Sequence, residues 1–334
     1  MELLQRPRRL RTSPQIRRLV QENSLSANDL VLPVFIKEGT NISNSIPSMP
    51  GFMQLSIDRL DSEIAEIASL GVKNIMLFGI PKEKDSVGSI SFDENGFMQK
   101  AIRYIKTQLP ELIIMVDVCL CEYTSHGHCG VIDDNGKDID NDKSLPIFAK
   151  QAVSYAKAGA DIVAPSSMMD GVVLEIRRAL DKNDFKNTII LSYSSKYSSA
   201  MYGPFRHIAE GAPQFGDRTS YQMDFSNSDE AIKEVELDLN QGADIVMVKP
   251  AHTYLDVIYK VKDNFPEVPV AAYHTSGEFA MIKAAAEKSL LDEEKAIMEV
   301  TTAIKRAGAD IIVSYFTKDI IKLLRQHSEV TNTK

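Results

Sequence analysis

The sequence repeats one pattern, in which a stretch with the apolar spacing of a helix ends at a glycine and an apolar strand follows within a few residues. Glycine suits the left-handed position that directly follows a helix. Before the first of these glycines, apolar residues recur every three or four positions over residues 57–70, and Ser56 is predicted to cap that helix. The pattern is clear four times, at Gly71, Gly159, Gly242 and Gly308.

The strands are apolar along their whole length, which is typical of strands buried on both faces of a parallel sheet. Eight such strands alternate with helical patterns. A doubly wound sheet uses the same alternation, so it is the number of units that favours a (β/α)8 barrel, or TIM barrel. We therefore predict an α/β fold with one barrel and an extended N-terminal arm. The predicted strands begin at Val31, Asn74, Leu112, Ile162, Thr188, Ile245, Val268 and Ile311.

No linker divides the chain, so we predict a single catalytic barrel over residues 23–330 behind an arm of residues 1–22. Residues 197–228 lack a strand pattern and contain several glycines and prolines, which predicts an active-site lid. The first 18 residues carry six arginines against one glutamate, a net charge of +5, although the whole chain carries −8. These arginines are Arg6, Arg8, Arg9, Arg11, Arg17 and Arg18.

The composition excludes several classes of protein. With 44% hydrophobic residues the chain is not disordered, and no apolar run of 18 residues is present to span a membrane. The N-terminus lacks the apolar stretch of a secretory signal, so we expect a soluble, cytoplasmic protein without a membrane partner. A basic arm can bind nucleic acid or direct import into an organelle, but most basic termini are solvated or dock on an acidic surface of the same or a neighbouring subunit.

Three cysteines form the pattern CxCx7C, at Cys119, Cys121 and Cys129. An odd, clustered set is not typical of a disulfide framework. Thiolates are soft ligands that suit Zn²⁺, and three ligands leave a fourth position for water or substrate, as in catalytic zinc sites. His126 and His128 lie in the same loop as further ligands or supporting partners. Buried cysteines without a metal are the alternative.

Lys196 and Lys249 each end an apolar strand, and these strands are neighbours in the predicted barrel, so both lysines face one mouth. An amine in apolar surroundings beside a second cation has a lowered pKa and can attack a carbonyl to form a Schiff base. Solvated surface lysines are the alternative. Arg206 and Arg218, on the predicted lid, suit a carboxylate substrate because guanidinium offers a bidentate fork.

Longer motifs resemble those of the porphobilinogen synthase family, also called 5-aminolevulinate dehydratases, over nearly the whole chain. Their length and order are far more specific than a single CxC pattern or a single lysine. The motifs are RPRRLR from Arg6, PVFI from Pro33, DVCLCEYTSHGHCG from Asp117, APSSMMDG from Ala164, SYSSKYSSAMYGPFR from Ser192, GDRTSYQMD from Gly216, MVKPA from Met247 and YHTSGEF from Tyr273.

The resemblance implies a reaction in which two molecules of 5-aminolevulinate condense asymmetrically to porphobilinogen, with loss of two waters, toward haem and other tetrapyrroles. It implies Schiff bases of the two substrates on Lys249 and Lys196, with Asp117 transferring protons or tuning the lysines. It also implies the residues that bind the substrates. Ser276 and Tyr315 hold one carboxylate, Arg206, Arg218 and Gln222 hold the other, and Ser166, Tyr202 and Phe205 line the site.

The resemblance further implies that the three cysteines hold a zinc ion beside the second substrate. Glu234 matches a position that binds an activating Mg²⁺ between subunits in many bacterial members, and a solvated helix-face glutamate is the alternative. The basic arm resembles one that wraps a neighbouring subunit in a homo-octamer, which favours docking over nucleic-acid binding. The chain departs from the family pattern at Ser167, Val172, His207, Thr219 and the pair His252–Thr253.

Two other functions remain open beside the expected hydro-lyase. A class I aldolase on the same barrel would need one lysine and no thiolate zinc, so the CxCx7C pattern argues against it. A non-catalytic zinc-binding protein would keep the fold without the reaction. The presence of both lysines and both lid arginines argues against that second alternative.

Overall fold

Each predicted apolar run forms a strand of one parallel barrel. The computed structural model describes residues 3–332, and its strands are β1 (Leu30–Lys37), β2 (Ser43–Ser45), β3 (Met53–Leu55), β4 (Asn74–Ile80), β5 (Ile113–Val118), β6 (Val131–Ile132), β7 (Ile139–Asp140), β8 (Ile162–Pro165), β9 (Ile189–Lys196), β10 (Ile245–Lys249), β11 (Val270–His274) and β12 (Ile311–Ser314). The barrel runs β1-β4-β5-β8-β9-β10-β11-β12, and pairing of β12 with β1 closes it. The (β/α)8 prediction is confirmed. The short strands of the pairs β2–β3 and β6–β7 lie in loops and were not predicted.

Helices alternate with the barrel strands along the chain. They are α1 (Pro14–Leu19), α2 (Asp61–Leu70), α3 (Phe97–Gln108), α4 (Asn141–Ala158), α5 (Val172–Lys182), α6 (Gly203–Ile208), α7 (Glu230–Gln241), α8 (Leu255–Asn264), α9 (Ser276–Glu287), α10 (Glu293–Ala307) and α11 (Thr317–Asn332). None of the helices in the described part of the chain combines the length and the apolar character that a membrane crossing requires.

The four predicted glycines do end helices in the left-handed region. Gly71, Gly159, Gly242 and Gly308 have φ angles of 65°, 105°, 103° and 123°. The predicted cap at Ser56 is wrong, because α2 begins only at Asp61 behind a short 3-10 turn, Ile57–Arg59. The Ser56 hydroxyl is occupied elsewhere, since it donates to Asp58 and accepts from the backbone N–H of Ile42.

A repeated aspartate joins neighbouring strands where they start. Asp161 Oδ2 accepts a hydrogen bond from the N–H of Ile114 at 2.7 Å, and the N–H of Asp161 donates to the carbonyl of Ile114 at 3.0 Å. Lys106 pairs with the same carboxylate at 2.7 Å and also donates to the carbonyl of Leu112. The same two-way pairing joins Asp244 to Ile190 and Asp310 to Val270. The aspartate after each Gly-Ala therefore sets the register between consecutive strands.

We expect Asp161→Ala to lower the free energy of unfolding by about 1–2 kcal/mol, because the Ile114 N–H loses its acceptor. Asp161→Asn keeps an acceptor oxygen and should lose less. Urea denaturation measures both, with Asp263→Ala on the exposed surface of α8 as the control. Equal midpoints for Asp161→Ala and Asp263→Ala would show that the pairing contributes nothing.

The N-terminal arm is mostly exposed to solvent, with only Ser13 and Ile16 half-buried among its described residues. Met1 and Glu2, its first residues, lie outside the described residues. From residue 3 to residue 22 the arm forms a 3-10 helix, Pro7–Arg11, and the short α1, and neither buries a side chain. Four leucines of the arm are exposed, Leu4 and Leu19 by more than 80%. The arm therefore leaves several large apolar side chains exposed in the single chain.

Candidate active site

Two lysines lie side by side at the mouth of the barrel. Lys196 ends β9 and Lys249 ends β10, and the two residues are direct partners in the parallel register. Both are only 5% exposed. The carboxyl ends of β9 and β10 bring the two amines to one place, as the sequence predicted.

Aromatic rings surround the Lys249 amine. Its Nζ lies 4.0 Å from the ring centre of Tyr273, and the rings of Phe205, Tyr193 and Tyr202 lie within 5.4 Å. Burial, followed by the charge of the neighbouring Lys196, lowers the pKa of Lys249 to about 7, although Asp117 opposes the shift. An unperturbed lysine is about 0.04% neutral at pH 7, so this environment greatly enlarges the nucleophilic fraction.

Asp117, on β5, is the buried acid of the same mouth. Burial and the nearby Glu122 together raise its pKa to about 7, although Lys196 and Lys249 oppose the shift. Ser166 Oγ donates to Asp117 Oδ2 at 3.2 Å, while the Ser166 carbonyl accepts from Lys196 Nζ at 2.5 Å. Ser166 thus links the acid to one of the two amines.

An irregularity in β9 contributes to this arrangement. Ser192 pairs with Val246 and Ser195 with Val248, so β9 holds one more residue than β10 over this stretch. In a regular strand, residues three apart point to opposite faces, and an extra residue changes that alternation. The ring of Tyr193 accordingly lies near both amines, at 5.6 Å from Lys196 Nζ and 5.1 Å from Lys249 Nζ.

Polar atoms without partners mark a place for a ligand. Both amide atoms of Gln222 and the Nε atoms of Arg206 and Arg218 are buried and make no hydrogen bond. A buried polar atom without a hydrogen bond destabilises the folded protein unless a ligand or a water molecule supplies the missing partner. The Nη2 atom of Arg218 already has protein partners, since it donates to the carbonyls of Gly127 and Gly211.

The second predicted carboxylate-binding pair lies after β11 and β12. Ser276 begins α9, and its Oγ accepts from the N–H of Phe205 at 2.9 Å, which connects it to the lid. The hydroxyls of Tyr315 and Tyr273 are 2.9 Å apart. Tyr202 donates to the carbonyls of Tyr197 and Lys249. All the predicted substrate-binding residues therefore lie at the barrel mouth or in the predicted lid, residues 197–228.

The three cysteines converge in the loop of residues 119–129, called here the metal loop. Their sulfur atoms all lie within 4.8 Å of one another, and Cys119 and Cys121 are 3.3 Å apart. All three are free thiols and buried. Hydrogen bonds from Cys119 and Cys121, with Arg218 nearby, hold the pKa of Cys129 well below its usual value. Three convergent sulfurs, one of them readily ionised, fit a soft metal ion.

The two histidines of the metal loop have other partners. His128 Nε2 lies 2.9 Å from the carbonyl of Phe215, and its Nδ1 lies 3.0 Å from the hydroxyl of Tyr221. His126 Nδ1 accepts from the N–H of His128, and its Nε2 contacts the carbonyl of Ser86. Of the two roles predicted for these residues, the structure supports that of supporting partners.

The sequence and structure comparisons agree with this site. Residues 4–323 match the family described as Delta-aminolevulinic acid dehydratase. The chain belongs to this family of lyases. Relatives of that name from Staphylococcus epidermidis and Synechocystis are each 51% identical over 96% of this chain and 98% of their own length. A solved structure of the Toxoplasma gondii enzyme, in complex with the reaction product porphobilinogen, matches with a TM-score of 0.93 and 42% identity, covering 96% of this chain and 92% of that one.

The departures from the family pattern lie in three places. His207 and Thr219 are exposed on the lid, and Thr219 bonds only locally, to Asp217. Ser167 and Val172 are buried before and at the start of α5. His252 lies in the short 3-10 helix that follows β10, and its Nδ1 is buried without a partner.

Glu234 lies on α7, half-buried. Burial and the nearby carboxylates of Asp238 and Asp170 together raise its pKa to about 7. The predicted Mg²⁺ at this residue stays a prediction.

Sequence reasoning missed four residues of this dehydratase-family site. Tyr193 and Tyr273 form two walls of the Lys249 pocket, and Glu122 accepts from the Cys121 thiol at 3.2 Å. Glu210 holds the lid down on the barrel, as its carboxylate binds Lys37 and Gln54. Three of these residues could have been suspected from their positions in the sequence. Tyr193 and Tyr273 lie within the strand-end motifs, and Glu122 directly follows Cys121.

We expect Lys196→Met to move the titration of Lys249 to higher pH. Removing the neighbouring charge raises the pKa of Lys249 above its value of about 7, so the reactive neutral amine forms only at higher pH. Reductive methylation with formaldehyde at a series of pH values, read by mass spectrometry, measures this. Lys182→Met, on the exposed surface of α5, is the control and should leave the inflection in place. An unmoved inflection in Lys196→Met would contradict the charge coupling.

Proposed function

We propose that this chain catalyses the condensation of two molecules of 5-aminolevulinate to porphobilinogen, with loss of two waters, in tetrapyrrole (haem) synthesis. The observation that carries the proposal is the pair of buried lysines, partners in register, at one barrel mouth with a three-thiol cluster. Family membership and the porphobilinogen bound to the Toxoplasma gondii enzyme support it. A class I aldolase would leave the thiol cluster without a role.

Lys249 is the first nucleophile in this proposal. Its neutral amine adds to the ketone carbon of one substrate, and a Schiff base forms as one water leaves. The lowered pKa makes that amine available near neutral pH, and the aromatic walls exclude the bulk water that would hydrolyse the Schiff base. The propionate side of porphobilinogen is built from this substrate.

Lys196 forms the second Schiff base in the same way. Asp117 is the group that moves protons between the two centres, because its raised pKa lets it both accept and donate a proton near pH 7. Ser166 orients both groups, since it binds Asp117 through its hydroxyl and Lys196 through its carbonyl.

The two substrate carboxylates are held at opposite sides of the mouth in our proposal. Ser276 and Tyr315 hold that of the Lys249-bound substrate. Arg206, Arg218 and Gln222 hold the other, and their buried, unpartnered nitrogen and oxygen atoms are the reason for this assignment. Tyr202 and Phe205 line the space between the substrates and contact the Lys249 amine.

We infer that the metal of the three-cysteine site is zinc, held by Cys119, Cys121 and Cys129. Bound there, zinc supplies a Lewis acid beside the second substrate. The residues of this chain prepare the site: Arg218 stabilises the Cys129 thiolate, and burial excludes competing ligands. A second metal, Mg²⁺ at Glu234, is part of the proposal as an activator at a subunit interface.

The test is a colorimetric assay for porphobilinogen with and without zinc. We expect product from 5-aminolevulinate, loss of activity with a strong chelator, and recovery on adding Zn²⁺. Lys249→Met should reduce kcat by about 1,000-fold or more, since it removes the nucleophile. Lys182→Met is the matched control and should keep full activity.

Borohydride treatment during turnover provides the direct readout. We expect reduced substrate adducts on Lys249 and Lys196, located by peptide mass spectrometry. Absence of an adduct on Lys249 would sink the mechanism, and full activity of metal-free protein would rule out the zinc site.

We further propose that the chain is cytoplasmic and assembles as a homo-octamer, with residues 1–22 as an arm on a neighbouring subunit and residues 23–330 as one barrel with its lid at 197–228. The three free thiols suit a reducing compartment. The exposed leucines and arginines of the arm suit an apolar and acidic groove on another copy.

Assembly should depend on the arm leucines. Replacing both Leu4 and Leu10 by Ser should lower the mass seen by light scattering, since these side chains are 81% and 55% exposed in the single chain. Leu290→Ser, 77% exposed on the α9–α10 connection, is the control. An unchanged mass in the arm variant would contradict a role of the arm in assembly.

A further inference from the structure

The lid is built against the metal loop along one edge. The N–H of Gln214 donates to the carbonyl of His126 at 2.9 Å, and Arg218 Nη2 donates to the carbonyl of Gly127 at 3.0 Å. Both ring nitrogens of His128 contact the lid, Nε2 at the carbonyl of Phe215 and Nδ1 at the hydroxyl of Tyr221. The partners of the lid here belong to the same loop that carries the three thiols.

The packing between these two segments leaves no space at Gly127. A Cβ built on this glycine would lie 2.1 Å from the carbonyl oxygen of Ala212, a distance that backbone atoms never tolerate. On the lid side, a Cβ on Gly211 would lie 3.2 Å from the carbonyl of Cys121 and 3.6 Å from its sulfur. The lid backbone therefore rests directly on the backbone of a thiol-bearing residue.

A second set of contacts holds the lid on the barrel strands β1 and β3. Glu210 pairs with Lys37 at 2.6 Å, and its carbonyl accepts from Lys84. Gln54 donates to the carbonyl of Ile208 and to Glu210. These contacts with Lys37 and Gln54 anchor the lid on the barrel strands, in addition to its contacts with the metal loop.

We propose that Gly127 and His128 are positioning residues that couple metal binding to lid closure. A metal ion bound by three thiols holds the metal loop in the one conformation on which the lid fits, so binding of the metal stabilises the closed lid. By thermodynamic linkage, the closed lid tightens metal binding by the same factor. The inference rests on the proposed function, since Arg206, Arg218 and Gln222 reach a substrate only from the closed lid.

The variant that tests this coupling is Gly127→Ala. It adds a methyl group that meets the lid at Ala212 and leaves all three thiols in place. The matched control is Gly136→Ala, because Gly136 has nearly the same φ angle, 68° against 71°, but nothing within 4 Å of its added Cβ. The two variants share the backbone strain of alanine at positive φ and differ in the clash with the lid.

The first readout is limited trypsin cleavage of the lid, whose tryptic sites are Arg206 and Arg218. In wild-type protein and in Gly136→Ala, Zn²⁺ should slow cleavage at Arg218 by about fivefold or more. The effect at Arg206 should be smaller, because that end of the lid lies nearer the Glu210 anchor. In Gly127→Ala, Zn²⁺ should give little protection at Arg218.

The second readout is zinc affinity, measured by competition with a chromophoric chelator. Levulinate, the keto acid that lacks the substrate amine, should tighten zinc binding in wild-type protein and in Gly136→Ala but not in Gly127→Ala. His128→Phe keeps a ring against Phe215 and loses both hydrogen bonds, so it should show an intermediate loss. KM for 5-aminolevulinate should rise more than kcat falls in both lid-facing variants.

Equal zinc protection and equal zinc affinity in Gly127→Ala and Gly136→Ala would overturn the coupling. A wild-type protein that makes porphobilinogen in a zinc-dependent way, but whose lid is cleaved equally fast with and without zinc, would overturn it while leaving the proposed function intact. Failure of the wild type to make porphobilinogen at all would instead contradict the proposed function.

Discussion

The burial of two amines on adjacent strands is the constraint that shapes the rest of the site. Two positive charges held on neighbouring strands repel each other, and burial weakens the screening of this repulsion by water. The repulsion and the loss of water both favour a neutral Lys249. Aromatic rings surround this amine, while Lys196 takes the nearby polar acceptor, the Ser166 carbonyl. Two lysines that are chemically identical therefore lie in different surroundings.

The barrel can hold such a site because polar and apolar residues occupy different parts of each strand. At the starts of the strands, Asp161, Asp244 and Asp310 pair with backbone N–H groups and set the register. The middles of the strands are apolar and fully buried. Charged groups gather at the opposite ends, where the loops are free to carry function. Stability and chemistry therefore depend on different residues of the same strands.

The lid and the metal loop form a single surface above the lysines. Arg218 belongs to both, because it stabilises the Cys129 thiolate and bonds to backbone carbonyls on each segment. His128 lies beside a thiol, yet its ring serves the lid. From the spacing of cysteines and histidines in the loop, the imidazole could be a metal ligand or a supporting partner. Only the position of the lid, which supplies its hydrogen-bond partners, distinguishes these two roles.

The amino-acid sequence by itself determined the strand–helix alternation, the glycines that end helices, the three-thiol set and the two strand-ending lysines. These follow from spacing along the chain and from local backbone preferences. The tertiary structure alone decided the extra residue of β9 against β10, the rings of Tyr193 and Tyr273 around Lys249, and the Glu210 anchor of the lid. It also moved the start of α2 to Asp61, because the Ser56 hydroxyl bonds to the loop of residue 42. Each of these depends on contacts between residues far apart in the chain, and no local pattern records which partner a side chain meets.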